Sequence, residues 1–360
     1  MEHLNKTKRA VKKSLLPWFA ANKRSMPWRN NRTPYRVWIS ELMLQQTRVD
    51  QATPYFHRFM KRFPSLKSLA ESSQEDVLKM WEGLGYYSRA RNLHKAAQII
   101  SNDWNGRFPK TAVDIQALPG IGSYTAAAIG SLAFNLDLAV LDGNVIRVLS
   151  RIFAYTTDSK STAAKRELQQ LADNLLVKGD AGNFNEAMME LGATICIPRN
   201  PQCEDCPMST VCLGHQSGRP TDYPVVAPKK KVPHIIVGAA VVTNKKGNVL
   251  VAQRLEKDML GGLWEFPGGK QESGETIQQC IVRELKEELG INVEVGEFIT
   301  TVKHAYSHFT MEMHTYYAKI KSGRPRPIQC QEFQWLEILN LRKLPYSKAD
   351  LNVITELEKE

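Results

Sequence analysis

The chain has 360 residues, 42% of them hydrophobic and 24% charged, enough for two globular domains with cores of their own. Lys and Arg number 48 against 37 Asp and Glu, a net +11 that suits a polyanionic partner but fixes neither fold nor ligand. No apolar run is long enough to span a bilayer, and the basic N-terminus lacks the unbroken apolar centre of a secretory signal.

In chain order, Val11, Leu15, Leu16, Trp18 and Phe19 share one helical face that leads straight into the first domain. Residues 8–210 read mainly as helices. The apolar spacing predicts them over 36–48, 53–63, 73–83 and 89–102, divided by Pro64, Gly83 with Gly85, and Gly106 with Pro109. The stretch 118–144 organises the rest. It opens on a turn with Gly120 and Gly122, continues as a small-residue helix over 123–133, and ends on Asp142, a carboxylate in an apolar segment. Glycines admit close backbone approach, and N–H groups at a helix start attract an anion such as a DNA phosphate. A plain helical hairpin with a capping Asp reads the same residues equally well.

Cys196, Cys203, Cys206 and Cys212 form C-x6-C-x2-C-x5-C, with Cys280 and Cys330 isolated. That pattern predicts a metal site in a reducing compartment and not a disulfide frame; the chemistry leaves zinc and iron–sulfur open. Residues 216–232, rich in Pro and Gly and ending in a lysine triplet at 229–231, read as a linker. After Pro233 strands are expected over 235–242, 249–253, 293–302, 309–320 and 333–336, with helices over 273–289 and 348–360. An α domain (1–215) thus precedes an α+β domain (233–360).

LPGIGSYTA, VLDGNV and the cysteine spacing together resemble the helix-hairpin-helix DNA glycosylases that carry a [4Fe–4S] cluster. MPWRNNRTPYRVWISELMLQQTRV, WEGLGYYSRARNL and FNEAMMELG resemble their adenine-specific MutY branch. The resemblance implies a multidomain protein, an all-α glycosylase domain with a cluster loop followed by a Nudix-like α+β domain. It implies excision of adenine opposite 8-oxoguanine or guanine in duplex DNA, by a bacterial, cytoplasmic, nucleoid-associated monomer. It gives Glu41 the role of acid on adenine, Asp142 that of an ionised carboxylate beside the sugar, and Tyr124 an assisting role. Arg24, Trp28, Leu44, Val49 and Glu186 would surround the flipped adenine. Gln46 and Tyr86 would enter the DNA near the opposing base, and Gly120 and Gly122 would bind phosphate. The four cysteines would hold the cluster, with Arg199 in their loop as a further DNA contact. Tyr124 stands where the endonuclease III-like relatives have a nucleophilic lysine, which implies glycosylase action without strand cleavage.

In the second domain, residues 269–291 match the Nudix box, G-x5-E-x7-R-E-U-x-E-E-x-G-U, at every position. Glu284, Glu287 and Glu288 on nearby helical turns suit Mg²⁺. The preceding GGLWEFPGG resembles MutT. HAYSHF (304–309) resembles the 8-oxoguanine-recognition loop of MutY proteins, with Ser307 and His308 as contacts. Asp350 falls where MutT-like enzymes read a purine. An intact box departs from the degraded one usual in MutY proteins and raises Mg²⁺-dependent hydrolysis of an 8-oxo-dGTP-like nucleotide as an alternative for this domain.

Overall fold

A computed structural model of the protein describes residues 1–228, 232–306 and 309–359. By contacts the chain divides into two compact units: Met1–Lys67 with Lys95–Lys229, and Ser68–His94 with Lys230–Glu360.

The first unit is helical. The apolar face at its N-terminus is as expected: Val11, Leu15 and Phe19, four residues apart, are 0%, 0% and 2% exposed. They pack with Val148, Leu149, Leu168, Phe184 and Leu191 in one core. Their helix runs as Glu2–Ala10, a π-helical turn Val11–Leu15, and Leu16–Asn22. The helix expected at 36–48 is Pro34–Leu44. It stops there because Gln46 takes φ +59°, and a new helix, Val49–Arg62, begins three residues later. Ser123–Phe134 ends on Asn135 in the left-handed conformation at φ +54°. Gly143–Ile152, Thr162–Leu175 and Ala181–Thr194 complete the larger helices. Residues 216–228 are fastened to this unit: Arg151 Nε donates to Tyr223 O at 3.1 Å, and Ser159 N to Val225 O at 3.0 Å.

Among the described residues the second unit holds seven strands: β1 His234–Val242, β2 Val249–Gln253, β3 Trp264–Glu265, β4 Gly268–Lys270, β5 Asn292–Ala305, β6 Thr310–Ser322 and β7 Glu332–Leu336. One sheet has the order β4-β1-β6-β5, with β1 and β6 parallel and the other pairs antiparallel; the other is β3-β2-β7, antiparallel. The helix expected at 273–289 is Ile277–Leu289. Thr276 caps it in a reciprocal box with Gln279, and Gly290 ends it at φ +68°. It lies so close over β1 that a Cβ at Gly238 would fall 2.9 Å from Ile281 Cγ1 and 3.2 Å from Ile277 O. Among the described residues no helix is long and apolar enough to cross a membrane.

Candidate active site

Glu41 lies in Pro34–Leu44, where every residue from Val37 to Met43 is buried. The Thr33 hydroxyl caps this helix by accepting from Arg36 N–H, and Pro34 takes the first helical position, where no N–H is needed. Glu41 is only 6% exposed. Tyr124 Oη donates to its Oε2 at 2.8 Å. Burial pushes the Glu41 acid up to about 7; the Tyr124 hydroxyl opposes this, the charges of Asp142 and Glu186 add to it, and Arg29 works against it.

Tyr124 is the second residue of the helix that follows the glycine turn. Burial, then the negative charges of Glu41 and Asp142, hold its phenol well above the ordinary range, so it stays a neutral donor. Because both carboxylates act on Tyr124, the three groups share one site. Asp142 caps Gly143–Ile152: its Oδ1 accepts from Val145 N–H at 2.7 Å and its Oδ2 from Asn144 Nδ2 at 2.9 Å. Burial raises the Asp142 acid above its ordinary value, and those bonds work against the rise.

Supporting residues that the sequence did not single out hold Asp142 in place. Asn185, 1% exposed, donates to Leu138 O and Ser131 Oγ, both at 2.8 Å, and accepts from Val140 N at 2.9 Å, fixing the segment that leads to Asp142. Arg147 donates to Asn144 Oδ1 (2.8 Å), Gly192 O (2.6 Å) and Cys196 O (2.7 Å), linking the Asp142 cap to the start of the cysteine loop.

The residues assigned to an adenine pocket divide. Glu186 reaches the Glu41 site electrostatically but is bonded to Arg29 at 2.9 Å and to Arg32. Arg24 gives its guanidinium to Glu190 at 2.7 Å, and Arg29 joins Glu190 at 2.9 Å. Burial alone would raise Glu190, but the bonds from Arg24 and Arg29 outweigh it and hold the acid low. Trp28 is buried edge-on against Phe56, with ring centroids 5.3 Å apart. Leu44 and Val49, both half-buried, flank the bend at Gln46. Gly120 has φ +75°, and a Cβ at Gly122 would meet nothing within 4 Å, so this turn is open to a close-approaching molecule. Tyr86 belongs to the second unit, partly exposed at φ +50°. Ser307 and His308 lie outside the described residues.

The four clustered cysteines are free thiols that line one pocket of about 280 Å³ with Arg151, Ile195 and His215. Arg151 Nη1 lies 3.2 Å from Cys196 Sγ. Arg199 is exposed.

The Nudix carboxylates are engaged by groups of their own domain. Arg283 takes Glu284 at 2.9 Å and Glu287 at 3.4 Å, and also binds Glu275 at 2.7 Å. The Glu284 carboxylate lies over Gly269, where any Cβ would collide with it. Glu288, one turn further along the helix, accepts from the adjacent Gly268 N at 3.3 Å. Among the described residues no three His, Cys, Asp or Glu side chains are grouped to hold a metal ion. Asp350 is buried, accepting from Phe266 N at 3.2 Å and Ser347 Oγ at 2.7 Å. Burial pushes its acid up to about 6.

The helical hairpin with its buried acid and capping Asp defines a base-excision repair fold. Residues 39–174 match the family model described as "HhH-GPD superfamily base excision DNA repair protein", and residues 238–356 match the NUDIX domain. A solved thermostable thymine-DNA glycosylase is similar at a TM-score of 0.54 and 30% identity, covering 59% of this chain and 98% of that one. The adenine DNA glycosylase of Buchnera aphidicola (from Acyrthosiphon pisum) is 37% identical over 85% of this chain and 86% of its own length. That of Rattus norvegicus is 33% identical over 94% of this chain and 76% of its own. The chain belongs to the adenine DNA glycosylase family.

Proposed function

We propose that this chain hydrolyses the N-glycosidic bond of adenine paired with 8-oxoguanine or guanine in duplex DNA. The observation that carries the reading is a shielded, protonatable Glu41 held by Tyr124 in the same site as Asp142. An acid pushed up to about 7 still carries its proton near neutral pH and can give it to a ring nitrogen of a flipped adenine. The C1′–N bond then breaks, its electron pair leaving with the base. Asp142 offsets the positive charge that develops on the sugar. The Glu41 carboxylate next takes a proton from the water that attacks the sugar, which restores the acid. Tyr124 orients Glu41 and, having no amine, forms no Schiff base, so the strand stays intact. The flipped base would lie against Trp28, Leu44 and Val49, with Arg24 and Glu186 at its polar edge. The backbone at Gly120 and Gly122 would take a phosphate, and Gln46 and Tyr86 would fill space at the opposing base.

The cysteine pocket fits a [4Fe–4S] cluster. Four free thiols line one pocket, and four thiolates are the ligand set such a cluster takes. Cys196, Cys203, Cys206 and Cys212 would hold it, and it would supply thiolate–iron bonds that brace the loop carrying Arg199. Recognition of 8-oxoguanine would fall to Ser307 and His308. The described residues beside them are ordered by aromatic packing: Tyr306 and Phe309 stack with centroids 4.8 Å apart, and His304 packs edge-on against Tyr306 at 4.5 Å.

Single-turnover release of adenine from an 8-oxoguanine:adenine duplex tests the reading. The parent is expected to leave an uncut abasic strand, and Asp142→Asn to slow release by about 10³-fold. No release by the parent, or an unchanged rate in Asp142→Asn, would reject it.

A further inference from the structure

Residues 68–94 lie inside the stretch matched by the glycosylase family model, yet their contacts place them in the second compact unit. At their centre is a turn, Glu82-Gly83-Leu84-Gly85-Tyr86-Tyr87. Gly83, Gly85 and Tyr86 have φ of +89°, +78° and +50°. A tyrosine in the left-handed region is strained and persists only where its surroundings hold it.

Part of that hold is local. Trp81 Nε1 and Arg89 Nη2 both donate to Gly85 O, at 3.1 and 3.0 Å, and the Arg89 guanidinium lies over the Tyr86 ring at 5.2 Å. The Nudix-like body adds to it, chiefly through the backbone of one residue, Tyr346. Glu82 Oε1 accepts from Tyr346 N at 2.9 Å, and Tyr87 Oη donates to Tyr346 O at 3.3 Å. Tyr87 Oη also accepts from Gly83 N at 3.0 Å, so one hydroxyl ties the turn to itself and to Tyr346. Lys79 donates to Glu82 Oε2 at 2.8 Å and to Leu344 O at 3.0 Å. Farther along, Arg91 Nη1 donates to Gly261 O at 2.6 Å. Tyr346 is itself fixed: it is 0% exposed, and Trp264 N donates to the neighbouring Pro345 O at 2.9 Å.

We infer that the Tyr346 backbone is the anchor of the Tyr86 turn, with Glu82, Tyr87 and Lys79 as positioning residues. The Nudix-like unit thereby sets the placement of a DNA-contacting side chain carried by the glycosylase sequence, a role separate from reading the lesion. The inference rests on the proposed DNA contact of Tyr86. Both flanks of the turn are bonded to the N–H and C=O of the same residue. Loss of either bond frees the strained turn to relax and withdraws Tyr86 from its bound position.

The test uses the full chain and an 8-oxoguanine:adenine duplex with 2-aminopurine beside the lesion, whose fluorescence rises when a side chain unstacks it. The double variant Glu82→Ala/Tyr87→Phe is expected to blunt that rise and to increase the half-saturating duplex concentration about tenfold. Single-turnover excision at saturating duplex is expected to be retained, since the Glu41 site is untouched. Tyr86→Ala is the reference and should give the same signature more strongly. Lys79→Gln, a milder change at a half-buried side chain, should give it more weakly and serves where the double variant does not fold. If Tyr86→Ala changes neither fluorescence nor half-saturation, Tyr86 is not a DNA contact and the inference falls with that reading. If Tyr86→Ala shows the signature while both clamp variants match the parent, the anchor alone is overturned and the contact stands.

Discussion

The Glu41–Asp142 pair and the Glu284–Glu287–Glu288 set are both acidic constellations placed by helices, and both are picked out by sequence motifs. Their surroundings differ. Glu41 is enclosed by apolar helix faces and meets a neutral phenol, so its proton is held without a counter-charge. Glu284 and Glu287 face Arg283, which already supplies the positive charge that a cation would bring. Carboxylates with different neighbours acquire different acidities and divide labour, whereas carboxylates sharing one arginine are neutralised together. Retention of a motif therefore tells which residues are present, and the neighbours decide what those residues do.

The largest expected effect lies in the first site. Glu41→Gln keeps shape and removes the transferable proton; single-turnover adenine release should fall about 10²–10⁴-fold while duplex affinity changes little. A loss of affinity with the rate preserved would make Glu41 a binding residue. Asn144→Ala is a smaller perturbation. It removes one of the bonds that oppose the rise of the Asp142 acid, so Asp142 is ionised only at higher pH. The acid limb of the pH–rate profile should move upward, with a loss of about tenfold at neutral pH; an unmoved limb would detach the cap from the chemistry. The smallest effect belongs to the second site. Glu284→Gln and added EDTA should each leave adenine release within about twofold of the parent, and the chain with Mg²⁺ and 8-oxo-dGTP should form no monophosphate. Monophosphate formation that Glu284→Gln abolishes would show that Arg283 yields the site to a metal, and the contrast would collapse.

Much of this site was legible in the sequence because its parts are local. The glycine turn, the small-residue helix and Asp142 fall within one short stretch, and Asp142 does cap the helix that follows it. Capping holds the carboxylate by two bonds while its charge acts on Tyr124 and Glu41, so a cap and the proposed catalytic role are compatible at one residue. Long-range pairings were invisible. Arg29 meets Glu190 across 161 residues, and no periodicity marks Asn185 as the residue that fixes the approach to Asp142. Strands β3 and β4 were missed because GGLWEFPGG looks like a loop; they form only through partners, as when β4 pairs with β1 at Gly238 and Gly269. The helix over 36–48 was overextended because apolar spacing does not register a left-handed Gln46.

The central claim is that Glu41 works as a protonated acid whose proton is held by burial and tuned by Tyr124. The most direct measurement is single-turnover adenine release at saturating duplex across pH, for the parent and Tyr124→Phe. A raised acid loses its proton as pH climbs through about 7, so the parent rate should fall above that point. Tyr124 lowers the Glu41 acid, so its removal should shift the fall to higher pH by about one unit. A parent rate that stays flat through the alkaline range, or a limb that does not move in Tyr124→Phe, would contradict the account.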